Sequence, residues 1–68
     1  MNTQIENSNR LIRLVEVLRI IGLSRSQLYK MQRAGLFPRS IKLSTRAVAW
    51  REAEVLHWCF SRSHSAGY

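Results

Sequence analysis

Apolar residues in the first half of the chain change from a loose alternation to a helical spacing. Residues 10–14, with the sequence RLIRL, alternate loosely and predict a short strand. Between Leu14 and Ile21 the apolar side chains follow the i, i+3, i+4, i+7 spacing of a single helix face, and Gly22 ends the pattern. Because a helix of two turns is unstable alone in water, we expect it to pack on its neighbour.

A second helix is predicted between Ser24 and Gly35, with residues 25–34 in the helix. The hydroxyl of Ser24 can accept a hydrogen bond from an amide of the first turn. Gly35 can adopt the left-handed conformation in which many helices end. Leu28 and Met31, one turn apart, give the helix an apolar side. Two helices joined by a Gly-Leu-Ser turn are typical of a helix-turn-helix pair.

Beyond Pro38, which cannot continue a helix, the apolar spacing changes from a period of 3.6 to a period of 2. The alternation predicts a β-hairpin over residues 40–50, with Ile41 and Leu43 toward the core and a loop at residues 44–46. This hairpin is termed the wing.

Helical spacing returns from Glu52 to about Ser61, where apolar residues form a broad face. The residues of this face are Val55, Leu56, Trp58, Cys59 and Phe60. Both tryptophans lie inside apolar runs, so we assign Trp50 and Trp58 to the core rather than to base stacking. The predicted fold class is mainly α with a small β-hairpin. It has three helices with the wing between helices 2 and 3, a winged helix-turn-helix architecture.

The chain of 68 residues is long enough for one domain with a small core. Residues 1–9 show no periodicity, and we predict that they form a disordered tail. We place the winged domain at residues 10–61. Residues 62–68 are small and polar, which predicts a flexible C-terminal tail.

The charge balance is strongly basic and narrows the class of partner. Eleven Lys and Arg against four acidic residues give a net charge of +7 and a pI near 11.2. This balance predicts a polyanionic partner, with nucleic acid favoured over an anionic membrane surface. No apolar run approaches the roughly 20 residues that span a bilayer, and no signal peptide is recognisable. Since a single cysteine, Cys59, cannot form an internal disulfide, we expect a cytoplasmic protein. We expect no membrane role, because the basic residues lie opposite a core-forming apolar stripe rather than an exposed one.

Residues 24–46 contain six of the eleven basic residues and no acidic residue. The second helix and the wing therefore form the predicted DNA-binding surface. We expect the helix to enter the major groove of duplex DNA and the wing to lie on the backbone or in the minor groove. The predicted contact residues are Ser24, Arg25, Ser26, Gln27, Tyr29, Lys30, Arg33, Lys42, Thr45 and Arg46.

The expected roles of these residues differ. The amide of Gln27 is the best candidate for a base contact, because an amide can make two hydrogen bonds to adenine. Arg25 and Lys30 fit either bases or phosphates. Arg46, in the loop of the wing, fits a phosphate or the minor groove. For Tyr29, packing under the wing and a hydroxyl contact to a phosphate are equally open.

Metal binding and catalysis find no support in the residue pattern. His57, Cys59 and His64 match no structural zinc spacing and lack a fourth ligand. Asp is absent, and the chain has no nucleophile elbow or phosphate-binding loop. We expect a protein that is not an enzyme and that uses no cofactor, metal or small-molecule substrate.

Three runs of sequence together cover roughly residues 10–60: RLIRLVEV, GLSRSQLY and AGLFPRSIKLSTRAVAWREAEVLHW. These runs resemble the AlpA family of prophage transcriptional regulators. The chain is similar, more distantly, to excisionases and to the DNA-binding domain of MerR-type regulators. The resemblance implies a small winged helix-turn-helix domain that binds phage or genomic-island DNA. It also implies that the protein activates or represses a promoter, or assists an integrase in excision.

Three functions stay open at this point. The first is a sequence-specific transcriptional regulator that binds double-stranded DNA, with RNA polymerase as a candidate protein partner. The second is an excisionase, a recombination directionality factor that works with an integrase. The third is a small interaction module that docks on an acidic protein. Because a single module of this size buries little DNA, cooperative binding to adjacent repeats fits the first two.

Overall fold

Six short elements follow one another over residues 10–62, the part of the chain that the computed structural model describes. In chain order they are β1 (Leu11–Ile12), α1 (Leu14–Ile21), α2 (Arg25–Arg33), β2 (Ile41–Ser44), β3 (Ala47–Arg51) and α3 (Glu52–Arg62). Three helices with a hairpin between the second and third confirm the predicted fold class. The predicted tail at residues 1–9, and residues 63–68 of the predicted C-terminal tail, lie outside the described residues.

The three strands form an antiparallel sheet in the order β1-β3-β2. Leu11 pairs with Arg51, and Ile12 pairs with Trp50. This pairing confirms the strand that the RLIRL alternation predicted. Ile12 and Trp50 are both buried, while Leu11 and Arg51 are exposed, as the alternation of side chains along a strand requires.

The outer strand of the wing contains a β-bulge at Leu43 that the sequence pattern did not predict. Lys42 pairs with Val48 and Ser44 pairs with Ala47, so Leu43 has no opposite residue on β3. An extra residue in one strand interrupts the alternation of side chains. Leu43 is 47% exposed, and the prediction that it faces the core is therefore wrong.

The core is assembled from every element except β2. Its buried members are Ile12, Val17, Leu28, Phe37, Trp50 and Val55. Phe37 lies in the segment between α2 and β2, and its burial shows how that segment is held against the helices. Trp50 is fully buried, and Trp58 is partly buried against the same cluster, which confirms both tryptophans as packing residues.

The apolar face of α3 is narrower than the sequence predicted. Val55 is buried and Cys59 is half-buried, but Leu56 is 47% exposed and Phe60 is 71% exposed. Leu56 and Phe60 lie one turn apart on a stripe rotated about 100° from Val55, since each helical residue turns by that angle. The prediction that they belong to the core face is wrong. No helix among residues 10–62 is long and apolar enough to cross a bilayer.

Candidate nucleic-acid interface

Helix α2 begins at a capping box. The hydroxyl oxygen Oγ of Ser24 accepts a hydrogen bond from the amide of Gln27 at 3.2 Å, and the amide of Ser24 donates to Oε1 of Gln27 at 3.0 Å. The backbone amides of Ser24 and Gln27, which have no hydrogen-bond acceptor within the helix, thus have partners. The predicted cap at Ser24 is confirmed. The capping box also gives the Gln27 side chain a structural role, whereas the sequence predicted a base contact only.

The other end of α2 is closed by Gly35. Its φ of 76° lies in the left-handed region that glycine adopts without strain, as predicted. Its amide donates to the carbonyl of Gln32 at 3.1 Å, and the amide of Leu36 donates to the carbonyl of Met31 at 2.8 Å. These two bonds form a Schellman motif, which fixes the direction in which the chain leaves the helix.

The outward side of α2 is defined by three residues in one stripe. Ser26, Lys30 and Arg33 follow the i, i+4, i+7 spacing, and all three are exposed. Arg25 is exposed at the edge of this stripe, whereas Leu28 on the opposite side is fully buried. The helix therefore has an apolar inner side and a basic outer side.

Tyr29 lies between these two sides and is half-buried. Partial burial is compatible with both of its predicted roles, packing and a hydroxyl contact. Its hydroxyl makes no hydrogen bond to any residue between Arg10 and Arg62.

Arg25 is placed at a cost to α2, whereas Lys30 and Arg33 lie in its last turn, where the helix dipole favours a positive charge. Arg25 lies in the first turn, where the helix dipole disfavours a positive charge, and no acidic residue is present in that turn. Lys30 and Arg33, three residues apart, repel each other. A negatively charged ligand on this side would relieve both effects.

Two of the three acidic residues in the described part of the chain are paired with Arg10, outside the stretch 24–46. Arg10 bridges Glu16 of α1 at 3.4 Å and Glu52 of α3 at 3.0 Å, and its carbonyl accepts a hydrogen bond from the Glu52 amide at 2.8 Å. Among residues 10–62 no ion pair involves any of the six basic residues of the stretch 24–46. They are Arg25, Lys30, Arg33, Arg39, Lys42 and Arg46. Their charge is left uncompensated by the described part of the protein.

The wing presents its predicted contact residues to solvent. Lys42 lies in β2, and Thr45 and Arg46 form the two-residue turn between β2 and β3; all three are exposed. Thus nine of the ten predicted site residues are exposed, and Tyr29 is the half-buried one. Exposure makes these side chains accessible to a ligand.

Two residues of interest were missing from the predicted site. Arg39 is exposed in the segment between α2 and the wing, and its membership of the acid-free stretch could have identified it. Gln32 is half-buried, and its Nε2 donates to Oγ of Ser40 at 3.3 Å. The sequence signal that could have identified Gln32 was its position four residues after Leu28, which places it on the inner side of α2.

The residues considered for metal binding do not come together within the described part of the chain. Between Arg10 and Arg62 no group of three or more His, Cys, Asp or Glu side chains could hold a metal ion. His64 lies outside these residues. Burial raises the pKa of the Cys59 thiol above its ordinary value, which disfavours the thiolate that would be a metal ligand or nucleophile.

Comparison with known proteins identifies the family. A family model described as Prophage CP4-57 regulatory protein (AlpA) matches residues 10–63, which is most of the chain. The chain belongs to the AlpA family. The match includes every helix and strand described above, so the AlpA resemblance of the sequence runs is confirmed, and the family is described as a regulatory one.

A relative of this AlpA-family chain is uncharacterized protein ORF88 of Enterobacteria phage P4. The two are 42% identical over 53 residues, which cover 78% of this chain and 60% of ORF88. The chain thus spans about three fifths of the length of that curated relative. This likeness supports the link to phage proteins.

Proposed function

We propose that this AlpA-family chain is a sequence-specific double-stranded DNA-binding protein that regulates transcription of phage or genomic-island genes. The observation that carries the proposal is the basic outer side of α2, whose charges have no acidic partner among residues 10–62. Phosphates of DNA would supply the missing negative charge. The proposed activity is binding alone, without catalysis, cofactor or small-molecule substrate.

In the proposed complex α2 enters the major groove. Arg25 and Ser26, in the first turn, lie where helix-turn-helix proteins contact base edges. Lys30 and Arg33 continue the same side of the helix and are assigned to phosphates or bases. Gln27 contributes through its Nε2 group, because its oxygen is held in the capping box.

The wing is proposed to anchor the complex. Lys42, Thr45 and Arg46 would lie on the DNA backbone or in the minor groove, where a narrow groove attracts positive side chains. Such contacts position a protein on DNA without reading sequence directly.

The proposal is tested by two variants that each remove one positive charge. Arg25→Gln should weaken binding to duplex DNA by about fivefold to tenfold at 0.1 M salt, the effect of losing one phosphate contact. It should leave the melting temperature unchanged or raise it, because Arg25 is unfavourable at the helix N-terminus. Arg51→Gln is the matched control, since Arg51 is exposed outside the stretch 24–46. Equal losses in the two variants would contradict a localised interface.

Regulation and excision would use the same surface, and footprints separate them. The duplex for all binding tests can be selected from a random pool by the wild-type chain and then located in the host phage or island. Protection of a promoter supports the proposed regulator, with RNA polymerase as its partner. Protection beside an integrase site would instead favour an excisionase. Protection extending over adjacent repeats would indicate cooperative binding.

A further inference from the structure

The segment between α2 and the wing is the direct chain connection between the two elements proposed to bind DNA. It runs from residue 34 to residue 40 and contains no helix or strand. The sheet packs on α1 and α3 through β3, and Leu28 of α2 shares the buried core cluster with Trp50 of β3. The outer strand β2 contributes no buried residue to this cluster, so its placement relative to α2 depends on its pairing with β3 and on restraints within this segment.

The first half of the segment is fixed to α3. Trp58 donates through Nε1 to the carbonyl of Leu36 at 2.8 Å, and its ring packs edge-on against Phe37 with ring centroids 4.8 Å apart. Phe37 itself is 5% exposed. These contacts hold residues 36 and 37 but do not reach the start of β2.

The second half of the segment is fixed to α2 by one side-chain hydrogen bond. Nε2 of Gln32 donates to Oγ of Ser40, the residue directly before β2, at 3.3 Å. Among the side-chain hydrogen bonds of residues 10–62 it is the one that links α2 to the wing. It spans the segment from the last turn of the helix to the first strand of the hairpin.

Only one of the two polar atoms of the Gln32 side chain has a partner among the described residues. The other amide atom of Gln32, Oε1, is buried and has no hydrogen-bond partner among the described residues. A buried polar atom without a partner costs free energy, and an apolar side chain of similar size would avoid that cost. An apolar side chain at this position would remove the unpartnered oxygen together with the bond to Ser40.

We propose that Gln32 is a positioning residue for DNA binding, which holds the wing at a fixed place relative to α2 through Ser40. The inference rests on the proposed function, because positioning matters only if both elements bind the same duplex. Holding two contact elements in place before binding reduces the ordering cost that binding would otherwise incur.

Gln32→Met separates positioning from stability. Methionine is close in length, favours helices and removes the unpartnered oxygen, so the melting temperature should stay the same or rise. DNA binding should nevertheless weaken by about threefold to tenfold, the effect of losing one hydrogen bond. Ser40→Ala should weaken binding similarly, whereas Ser40→Thr keeps the hydroxyl and should bind like the wild type.

Adding Gln32→Met to a variant whose wing lacks its basic side chains tests whether Gln32 affects DNA binding through the wing. In a Lys42→Ala/Arg46→Ala background the wing has lost its anchoring charges, so adding Gln32→Met should weaken binding by less than about twofold. An undiminished loss in that background would overturn the inference, as would wild-type affinity in Gln32→Met. Absence of DNA binding by the wild-type chain would overturn the proposed function and this inference together, so the two failures are distinguishable.

Discussion

At the scale of single residues, the side-chain amide of Gln27 has two roles, one in the capping box and one in the proposed base contact. Its oxygen Oε1 accepts a hydrogen bond from the backbone amide of Ser24, while Nε2 makes no hydrogen bond within residues 10–62. A two-point contact with adenine needs both the oxygen and the nitrogen. With the oxygen engaged in the capping box, Nε2 is left as a single donor. We therefore expect a smaller contribution to specificity than a two-point contact gives.

Gln27→Ala and Gln27→Glu distinguish the two tasks. Both remove the Nε2 donor and should cost about 1 kcal/mol in the ratio of selected to random duplex affinity, the low end for a base contact. Gln27→Ala should also destabilise the domain by about 0.5–1 kcal/mol, whereas Gln27→Glu retains the capping box. Thermal melting and binding titrations on both duplexes measure these effects. An unchanged affinity ratio in both variants would assign Gln27 to the cap alone.

Trp58 is the single side chain on which we expect the fold to depend most visibly. It packs on the core cluster, contacts Phe37 and bonds the carbonyl of Leu36. Trp58→Ala should destabilise the domain by about 3 kcal/mol, a large share of the roughly 3–10 kcal/mol expected for 68 residues. Trp58→Phe keeps a ring and should cost only about 1 kcal/mol for the lost hydrogen bond. Denaturant titration compares them, and equal midpoints for wild type and Trp58→Ala would contradict this packing role.

At the scale of elements, α2 and the wing are expected to contribute differently to binding. Arg46→Ala should weaken binding to selected and random duplexes by similar factors and lower the salt slope by about 1, because a backbone contact is insensitive to sequence. Titrations of both duplexes at two salt concentrations provide the measurement. Should Arg46→Ala change base preference while Gln27→Ala weakens both duplexes equally, the roles of helix and wing are reversed.

The elements also show how far the sequence determines the fold. Periodicity located all three helices, β1 and the wing, because burial of one side imposes a period on each element. The glycine and serine signals located the ends of α2, because they follow from local backbone geometry. The bulge at Leu43 was missed, because an inserted residue depends on how two strands align rather than on either strand alone.

The candidate site was predictable to a similar degree. Local charge identified the exposed residues of α2 and the wing, since long charged side chains seldom lie buried. The hydrogen bond from Gln32 to Ser40 depends on where two elements meet in space. The exposure of Phe60 likewise reflects how far the core extends along α3. Neither is encoded in a single element, so neither could be read from the period of its segment.

At the scale of the whole molecule, charge is sorted between two regions. Glu16 and Glu52 are paired with Arg10, while the stretch 24–46 contains basic residues alone. The region around Arg10, Glu16 and Glu52 therefore attracts DNA less than the net charge of +7 suggests, and the stretch 24–46 attracts it more. The predicted consequence is a local interface with a small number of phosphate contacts rather than general attraction.

The salt dependence of duplex binding tests this central claim most directly. If Arg25, Arg33, Lys42 and Arg46 each reach a phosphate, log K against log salt should have a slope of about −3 to −4. Fluorescence anisotropy of a labelled duplex, titrated with the wild-type chain at several salt concentrations, gives this slope. The account predicts tight binding at low salt with that slope. No binding at low salt, or a slope near zero, would contradict it.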